Sequence, residues 1–151
     1  IIIRRKGMLC GKSFHSMDSK NRIIIPQSYR AEIGDSVYAT IGYDNNLFIM
    51  SSETFTALAQ KVMSVPETSF ESREFRRSFF GNAVLCELDK SGRLVLPQIL
   101  VNHAKIEKDV VIIGVFDKLE VWAQKQYEEY VSGESSDKTS HVLEKMAEYG
   151  I

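Results

Sequence analysis

One short motif occurs twice in the chain, and this repeat constrains the fold more than any other feature. The first copy, at residues 18–27, is Asp-Ser-Lys-Asn-Arg-Ile-Ile-Ile-Pro-Gln; the second, at residues 89–98, is Asp-Lys-Ser-Gly-Arg-Leu-Val-Leu-Pro-Gln. Asp, Arg, Pro and Gln coincide, and three aliphatic residues fill the same three positions. Two copies are too few to stack as a solenoid, which needs about three. The repeat therefore predicts a pseudo-twofold unit in which each half completes the other.

Each copy begins with a hairpin closed by a four-residue turn. The predicted order in the two copies is strand (13–17 and 83–88), turn (18–21 and 89–92) and strand (22–25 and 93–96). Asp at the first turn position favours a type I turn, because its carboxylate accepts hydrogen bonds from backbone N–H groups further along. The fourth position holds Asn21 or Gly92, the residue types that most readily adopt positive φ. A type I turn followed by a left-handed residue is a common hairpin connection.

The three consecutive aliphatic residues after each Arg predict a strand that is buried on both faces or wraps around a core. Pro26 and Pro97 follow these strands and end the ladder pairing. Proline is also favoured at the start of a helix. Short helices are therefore predicted at 27–33 and 98–104.

A β-rich stretch closes each copy, at 37–50 and at 110–122. Ile41-Gly42 in the first stretch matches Ile113-Gly114 in the second, provided that the second copy carries one extra residue near 107–109. The other predicted elements are helices between and after the copies and a polar loop near the end: helices at 54–63, 71–81, 124–131 and 141–149, and a loop at 132–140. Three aromatic residues in the second of these helices are expected to pack in the core or at a subunit interface: Phe75, Phe79 and Phe80.

The composition indicates a globular chain, with 44% hydrophobic and 26% charged residues. No apolar run approaches the roughly 18 residues of a membrane span. The apolar stretch Ile1–Ile3 is too short for an export signal, so we expect a cytoplasmic protein with no membrane association. Cys10 and Cys86 do not suggest a disulfide framework.

Nothing in the sequence indicates catalysis. The three histidines, at positions 15, 103 and 141, have no spacing typical of a metal site. No nucleophile with a base, no carboxylate pair and no glycine-rich phosphate loop is recognisable. We therefore predict a protein that is not an enzyme and has no catalytic residue, no metal and no cofactor.

The repeated turn has two interpretations, a solvated surface turn or a contact to nucleic acid. Repetition favours the second, because the Asp and Arg recur at identical spacing and each turn carries an additional lysine. The residues predicted to bind DNA are Asp18, Lys20 and Arg22 in the first copy and Asp89, Lys90 and Arg93 in the second. Arg presents a planar fork that can donate to O6 and N7 of guanine, and a two-stranded ribbon fits the major groove.

The position of each Asp suggests an orienting role. A carboxylate four residues before the Arg, across a tight turn, can hold the guanidinium in one rotamer and repel phosphates. The net charge is −1, which is low for a protein whose affinity depends on neutralising phosphates. Useful affinity therefore requires several chains that bind together.

A second basic group lies between the copies, at Arg73, Arg76 and Arg77. Helical spacing places Arg73 beside the other two. These arginines are either additional contacts to DNA or a ring neighbour, or a solvated face paired with Glu71 and Glu74.

The chain resembles the MraZ family of bacterial regulators, which have two tandem AbrB-like modules. The residues that carry the resemblance are the two Asp-x-x-x-Arg turns with their flanking strands, 14–26 and 86–97, and the linking Phe79-Phe80-Gly81-Asn82-Ala83. The resemblance extends from Met8 to about Tyr130. Residues 1–7 lie outside it and are interpreted as an extension of natural or artificial origin.

The resemblance implies a β-rich α+β fold in which two swapped-hairpin modules form one pseudo-twofold β-barrel with flanking short helices. The boundaries are module 1 at 8–54, linking helices at 55–81, module 2 at 82–128 and a C-terminal helix or tail at 129–151. The resemblance also implies a homo-oligomeric ring that binds short direct repeats in double-stranded DNA upstream of its own gene. That gene would lie in the division and cell-wall cluster, and the protein would be nucleoid-associated and repress the operon, with activation left open.

Two alternatives to a DNA-binding regulator are considered. The first is an antitoxin-like module of the same fold that binds another protein, and the second is a purely structural ring-forming protein. Antitoxins of this class have one module and a disordered binding tail. Here both modules are complete and the tail is short, which favours the regulator.

Overall fold

The computed structural model describes residues 8–133 and 136–151, and these form a mixed α+β fold rich in strands. Residues 1–7 lie outside the described residues. The strands are β1 (Leu9–Ser16), β2 (Arg22–Ile24), β3 (Ser36–Ile41), β4 (Leu47–Ser51), β5 (Val84–Glu87), β6 (Arg93–Val95), β7 (Asp109–Phe116) and β8 (Leu119–Ala123). The helices are α1 (Gln27–Ile33), α2 (Ser52–Met63), α3 (Phe70–Phe75), which a π-helical turn (Arg76–Phe80) continues, α4 (Gln98–His103), α5 (Gln124–Ser132) and α6 (Ser136–Ala147).

The strands of the two copies pair with each other. A six-stranded antiparallel sheet has the order β1-β7-β8-β4-β3-β5, and β2 pairs with β6 in a separate two-stranded ribbon. Thus β1 of the first copy pairs with β7 of the second, and β5 of the second pairs with β3 of the first. Exchanging the copies, β1–β4 for β5–β8, reproduces the same order. The predicted pseudo-twofold α+β fold with exchanged hairpins is confirmed.

One hydrophobic core takes side chains from all eight strands, so the sheet and the ribbon share a single interior. The ribbon contributes four aliphatic side chains that are almost fully buried: Ile23, Ile25, Leu94 and Leu96. Burying an aliphatic side chain of this size contributes about 1.5–3 kcal/mol. These side chains therefore anchor the ribbon to the interior. Because they come from both copies, neither copy can form this core alone.

The prediction that the aliphatic runs are buried on both faces or wrap the core is wrong for the central residue of each run. Ile24 is 51% exposed and Val95 is 54% exposed. A two-stranded antiparallel ribbon has only one face on the core, so successive side chains alternate between the interior and the outside. The two central residues therefore lie on the outer face of the ribbon.

The predicted alignment of β3 with β7 is wrong by one residue. Ile41 pairs with Leu47 across its hairpin, and the residue that pairs with Leu119 in the second copy is Gly114. The structural equivalent of Ile41 is therefore Gly114 and not Ile113. The second copy has a longer connection before β7 and a shorter turn after it. The two length differences partly cancel, so an alignment of the two copies by sequence shows only one extra residue.

A second, smaller hydrophobic cluster forms around the linking helices. Phe79 is buried, and Phe75 and Phe80 pack with it. The hydroxyl of Thr40, itself buried, donates to the carbonyl oxygen of Phe79 at 2.6 Å and holds the π-helical turn against β3. Packing in the core, one of the two predicted alternatives for these aromatic residues, is confirmed for Phe79, and Phe75 and Phe80 are partly buried against it.

The sequence predicts a loop at 132–140 and a helix at 141–149. The helix is confirmed, but the loop is wrong for Ser132, which ends α5, and for residues 136–140. Helix α6 begins at Ser136 and runs to Ala147. Asp137 lies in its first turn, where a carboxylate is favoured by the helix dipole, and the ammonium of Lys138 lies 3.6 Å from the ring centroid of Tyr130. Polar residues are compatible with a helix that is exposed over most of its length.

Candidate nucleic-acid interface

The two repeated turns have the same backbone geometry. We call Asp18–Arg22 tip 1 and Asp89–Arg93 tip 2. In tip 1 the N–H of Asn21 donates to the carbonyl of Asp18 at 3.0 Å, and in tip 2 the N–H of Gly92 donates to the carbonyl of Asp89 at 2.9 Å. Asn21 has φ of 58° and Gly92 has φ of 79°. Both turns therefore end in the left-handed residue that the sequence predicts.

Each Asp binds both the backbone and the guanidinium of its tip. In tip 1, Oδ1 of Asp18 accepts from the backbone N–H groups of Lys20 and Arg22, both at 2.9 Å, and Oδ2 accepts from Nε of Arg22 at 2.7 Å. Tip 2 repeats this pattern at the same three distances, with Asp89 accepting from Ser91 and from Arg93. The carboxylate therefore fixes the turn and orients the Arg together.

The pKa values of both carboxyls are lowered. The hydrogen bond from the backbone N–H of the Arg is the largest cause in each tip, and the guanidinium adds to it, while partial burial acts in the opposite direction. Hydrogen bonds to the charged form of a carboxyl stabilise that form. Asp18 and Asp89 are therefore ionised at neutral pH and keep both ion pairs formed.

The two arginines lie on one face of the ribbon. Arg22 pairs with Val95, and Ile24 pairs with Arg93. Directly paired residues share a face, and residues that are diagonal to each other on that face of two antiparallel strands are about 7–8 Å apart. The stems of Arg22 and Arg93 are such diagonal neighbours. The pairing of strands between the two copies thus brings together two arginines that are far apart in sequence.

The guanidinium groups retain most of their donors. Arg has five N–H donors, and Asp18 or Asp89 occupies only the one on Nε. Within the described residues, Nη1 and Nη2 of both arginines make no hydrogen bond. The side chains of Arg22 and Arg93 are 27% and 37% exposed. Each fork is therefore oriented and still able to donate to an external acceptor.

The tips are supported by different residues, each from the helix of the other copy. At tip 1, Nδ2 of Asn21 donates to Oε1 of Gln98 in α4 at 2.9 Å. At tip 2, Arg30 of α1 lies against Gly92, so that a Cβ on this glycine would be 2.5 Å from Cζ of Arg30. Among the described residues Nε of Arg30 has no hydrogen-bond partner. The roles of Arg30 and Gln98 could not be predicted from the sequence, because only the exchanged fold brings these residues to the tips.

The remaining predicted residues fall into two groups. Lys20 and Lys90 are exposed on the tips. Arg73 and Arg76 donate to backbone carbonyls of the preceding loop, Arg73 to Glu67 and Thr68 and Arg76 to Val65. Arg77 is 66% exposed and pairs with Glu74 at 2.7 Å. The structure thus places the Arg73–Arg77 group on α3 and the π-helical turn, outside the ribbon.

Other kinds of site are not found in residues 8–133 and 136–151. This part of the chain contains no group of three or more His, Cys, Asp or Glu side chains placed to hold a metal ion. None of its helices is both long and apolar enough to cross a membrane. Cys10 and Cys86 are free thiols, the first exposed and the second buried.

Comparison with known proteins identifies the family. The family model described as "MraZ protein, putative antitoxin-like" matches the chain twice, at residues 8–78 and 79–149. Similar proteins include the transcriptional regulator MraZ of Thermoanaerobacter pseudethanolicus, which is 42% identical over 94% of this chain and 96% of its own length. The protein of the same name from Clostridium tetani is 41% identical over 95% of this chain and its own full length. The chain therefore belongs to the MraZ family.

Proposed function

We propose that this chain is a sequence-specific DNA-binding transcriptional regulator whose ribbon contacts the major groove through tips 1 and 2. One observation carries the proposal: the two Asp–Arg pairs lie on a single face, with each guanidinium held at Nε and open at Nη1 and Nη2. Such a fork can donate to O6 and N7 of one guanine. The names of the similar proteins in Thermoanaerobacter pseudethanolicus and Clostridium tetani support a role in transcription.

The dimensions of the ribbon agree with this role. The major groove is about 12 Å wide and admits a two-stranded β-ribbon. Base pairs are about 3.4 Å apart along each strand, so arginines about 7–8 Å apart would contact bases about two steps apart. The pseudo-twofold axis of the ribbon would then lie between the two contacted bases.

The charge of this face favours specificity over affinity. Each Asp–Arg pair is neutral as a whole, so Lys20, Lys90 and Arg30 supply the excess positive charge near the tips. Each phosphate contact adds only about 0.9 to the salt slope. One chain therefore makes few electrostatic contacts, and tight binding depends on several chains acting together.

We infer that these chains associate as a homo-oligomeric ring, as the family resemblance implies. Phe14 on β1 and Leu85 on β5 occupy equivalent positions in the two copies and are 59% and 53% exposed. Strands β1 and β5 are the two ends of the six-stranded sheet. Apolar side chains at both ends of the sheet are suited to contacts between copies.

The proposed target is a set of short direct repeats upstream of the protein's own gene, in the division and cell-wall cluster. A ring presents several ribbons at regular spacing, which suits repeated sites. The protein would act in the cytoplasm on the chromosome and repress the operon, and it would have no catalytic role. Arg73, Arg76 and Arg77 stay candidates for further contacts to DNA or to a neighbouring copy.

A gel-shift titration with the upstream DNA tests the proposal. Arg22→Ala and Arg93→Ala are each expected to weaken binding by about 1–3 kcal/mol for every base that the arginine recognises. The oligomer is measured for every variant by size-exclusion chromatography with light scattering, so that disassembly of the ring is not mistaken for weaker recognition of DNA.

Lys145→Ala is the matched control, because it removes one positive charge from an exposed site on α6, outside the ribbon. Arg77→Ala tests the candidate contact on the linking helices. Unchanged binding by both tip variants, with weaker binding by Arg77→Ala, would move the interface to the linking helices. Absence of specific DNA binding by an intact oligomer would favour the antitoxin-like or structural alternative.

A further inference from the structure

The outer face of the ribbon carries two aliphatic side chains between its arginines, and the core does not explain them. Ile24 and Val95 are 51% and 54% exposed, whereas the residues on either side of them are buried. The positions are equivalent in the two copies, directly after Ile23 and Leu94. Half-exposed aliphatic side chains leave apolar surface in water, and the ribbon gains no interior packing from that exposed part.

The register fixes the neighbours of these side chains. Val95 is directly paired with Arg22, and Ile24 is directly paired with Arg93. Directly paired Cβ atoms in an antiparallel ribbon are about 4.5–5.5 Å apart. Each aliphatic side chain therefore lies beside one oriented guanidinium, and each arginine–aliphatic pair spans both copies.

The charges around this patch indicate which partner fits it. The cores of protein interfaces are depleted of aspartate, but here two Asp–Arg ion pairs flank only two aliphatic residues. The floor of the major groove offers both required surfaces, since guanine presents acceptors and thymine presents its C5 methyl group. A duplex in which a thymine lies next to a guanine matches each pair.

We propose that Ile24 and Val95 are specificity-determining residues that contact the C5 methyl groups of thymines adjacent to the guanines bound by Arg93 and Arg22. This inference rests on the proposed function. The pseudo-twofold relation of the two pairs makes the thymine–guanine contacts run in opposite directions along the duplex. One ribbon thus recognises a short element of approximate inverted symmetry within each repeated site.

The test removes only the methyl group of the base. Thymines in the footprint of the full-length protein are replaced one at a time by deoxyuridine, and the dissociation constant is measured by fluorescence anisotropy at fixed salt. Replacement at a contacted position is expected to weaken wild-type binding about fourfold, the effect of exposing one buried methyl-sized group. Replacement elsewhere in the footprint is expected to leave it unchanged.

Protein variants then assign each methyl group to a side chain. Ile24→Ala is expected to abolish the deoxyuridine effect at one thymine and to keep it at the other, and Val95→Ala should do the reverse. Val65→Ala is the matched control, because Val65 is 43% exposed and lies in the loop before α3, outside the ribbon. Circular dichroism and light scattering establish that each variant is folded and assembled.

Different results separate this inference from the proposed function. If no deoxyuridine replacement weakens binding while Arg22→Ala does, the methyl contacts are excluded and the regulator stands. If Ile24→Ala weakens binding equally on thymine and deoxyuridine, or dissociates the oligomer, the aliphatic residues serve the ribbon or a second copy of the chain, and the inference is wrong. If the wild-type protein binds no DNA specifically, the proposed function fails and the inference fails with it. The deoxyuridine series uses wild-type protein, so it decides the question even if a variant does not fold.

Discussion

Tips 1 and 2 share the hydrogen bonds that orient the arginine and differ in the side chains that pack against the turn. Both have an Asp whose carboxylate binds two backbone N–H groups and one Nε, at matching distances. Behind tip 1 is a hydrogen bond from Asn21 to Gln98, and behind tip 2 is Arg30 against Gly92. The Asp–Arg pair, which orients the guanidinium, is thus distinct from the side chains that anchor the turn. Each tip serves as a control for the other.

The largest expected effect tests whether the guanidinium groups of Arg22 and Arg93 are equivalent. Arg22→Ala and Arg93→Ala should weaken DNA binding to a similar extent, about 1–3 kcal/mol each, because the ion pairs have the same geometry. Their stems are about 7–8 Å apart, near the separation at which effects become additive. The double variant measured in the same gel shift should therefore show a decrease close to the sum.

A large decrease for one arginine and none for the other would break the comparison. It would mean that only one tip enters the groove and that the ribbon binds asymmetrically. A double variant no weaker than either single variant would mean that the two forks act as one unit.

The fourth turn residue should distinguish the tips by stability. Gly92→Ala is expected to lower the free energy of unfolding by about 1–2 kcal/mol, because it places a Cβ at positive φ and forces Arg30 to move. Asn21→Gly keeps the left-handed conformation accessible and removes one hydrogen bond, so its cost is about 1 kcal/mol or less. Urea denaturation of both variants measures the difference, and equal decreases would show that the support of the two tips is equivalent.

The anchoring residues should act locally and on opposite tips. Arg30→Ala should raise hydrogen exchange at the amides of Ser91 and Arg93, and Gln98→Ala should raise it at the amides of tip 1. Each helix supports the tip of the other copy, so the effect crosses between the copies. These changes are smaller than those at the turn residues themselves, because each variant keeps the Asp–Arg pair.

Hydrogen exchange at both tips is measured by mass spectrometry for Arg30→Ala and for Gln98→Ala. Increased exchange at both tips in either variant would indicate that the ribbon opens as a unit. The backbone hydrogen bonds from Ile25 to Gly92 and from Leu96 to Asn21, which join each strand to the opposite tip, would then dominate the local stability.

The tips themselves could be predicted from sequence, because their chemistry is local. Asp at the first turn position and Asn21 or Gly92 at the fourth specify the turn in a few residues. The predicted ion pair follows from the same short stretch, and the structure has it in both copies.

Features that depend on contacts between the two copies could not be predicted in the same way. The contact of Arg30 with Gly92 joins α1 of one copy to the tip of the other, and no local pattern encodes it. The outward position of Ile24 and Val95 depends on the ribbon having one covered face, which three consecutive aliphatic residues do not reveal. Helix α6 is predicted at 141–149 but begins at Ser136; its first residues could not be predicted as helical, because they are polar and carry no apolar period.

The smallest expected difference between the tips is in their response to pH. The pKa values of both carboxyls are lowered by the same kinds of hydrogen bond, first among them the backbone N–H of the following Arg. A carboxyl whose pKa is lower in the folded state adds stability above its unfolded value, about 3.9 for Asp, and this stability is lost as the pH falls through the folded value. The tips should thus be unaffected between about pH 5 and pH 8 and lose their ion pairs only in the acid range.

Carboxyl carbon chemical shifts followed by NMR should place the titrations of Asp18 and Asp89 together and below the ordinary Asp range. Asp18→Asn and Asp89→Asn serve as assignments, each removing one of the two transitions. A carboxyl that titrates at or above the ordinary range in one tip would mean that its backbone hydrogen bonds, and with them the contact to its Arg, are not held in solution. The fork of that tip would then be free to adopt other rotamers, and its contribution to sequence discrimination should be the smaller of the two.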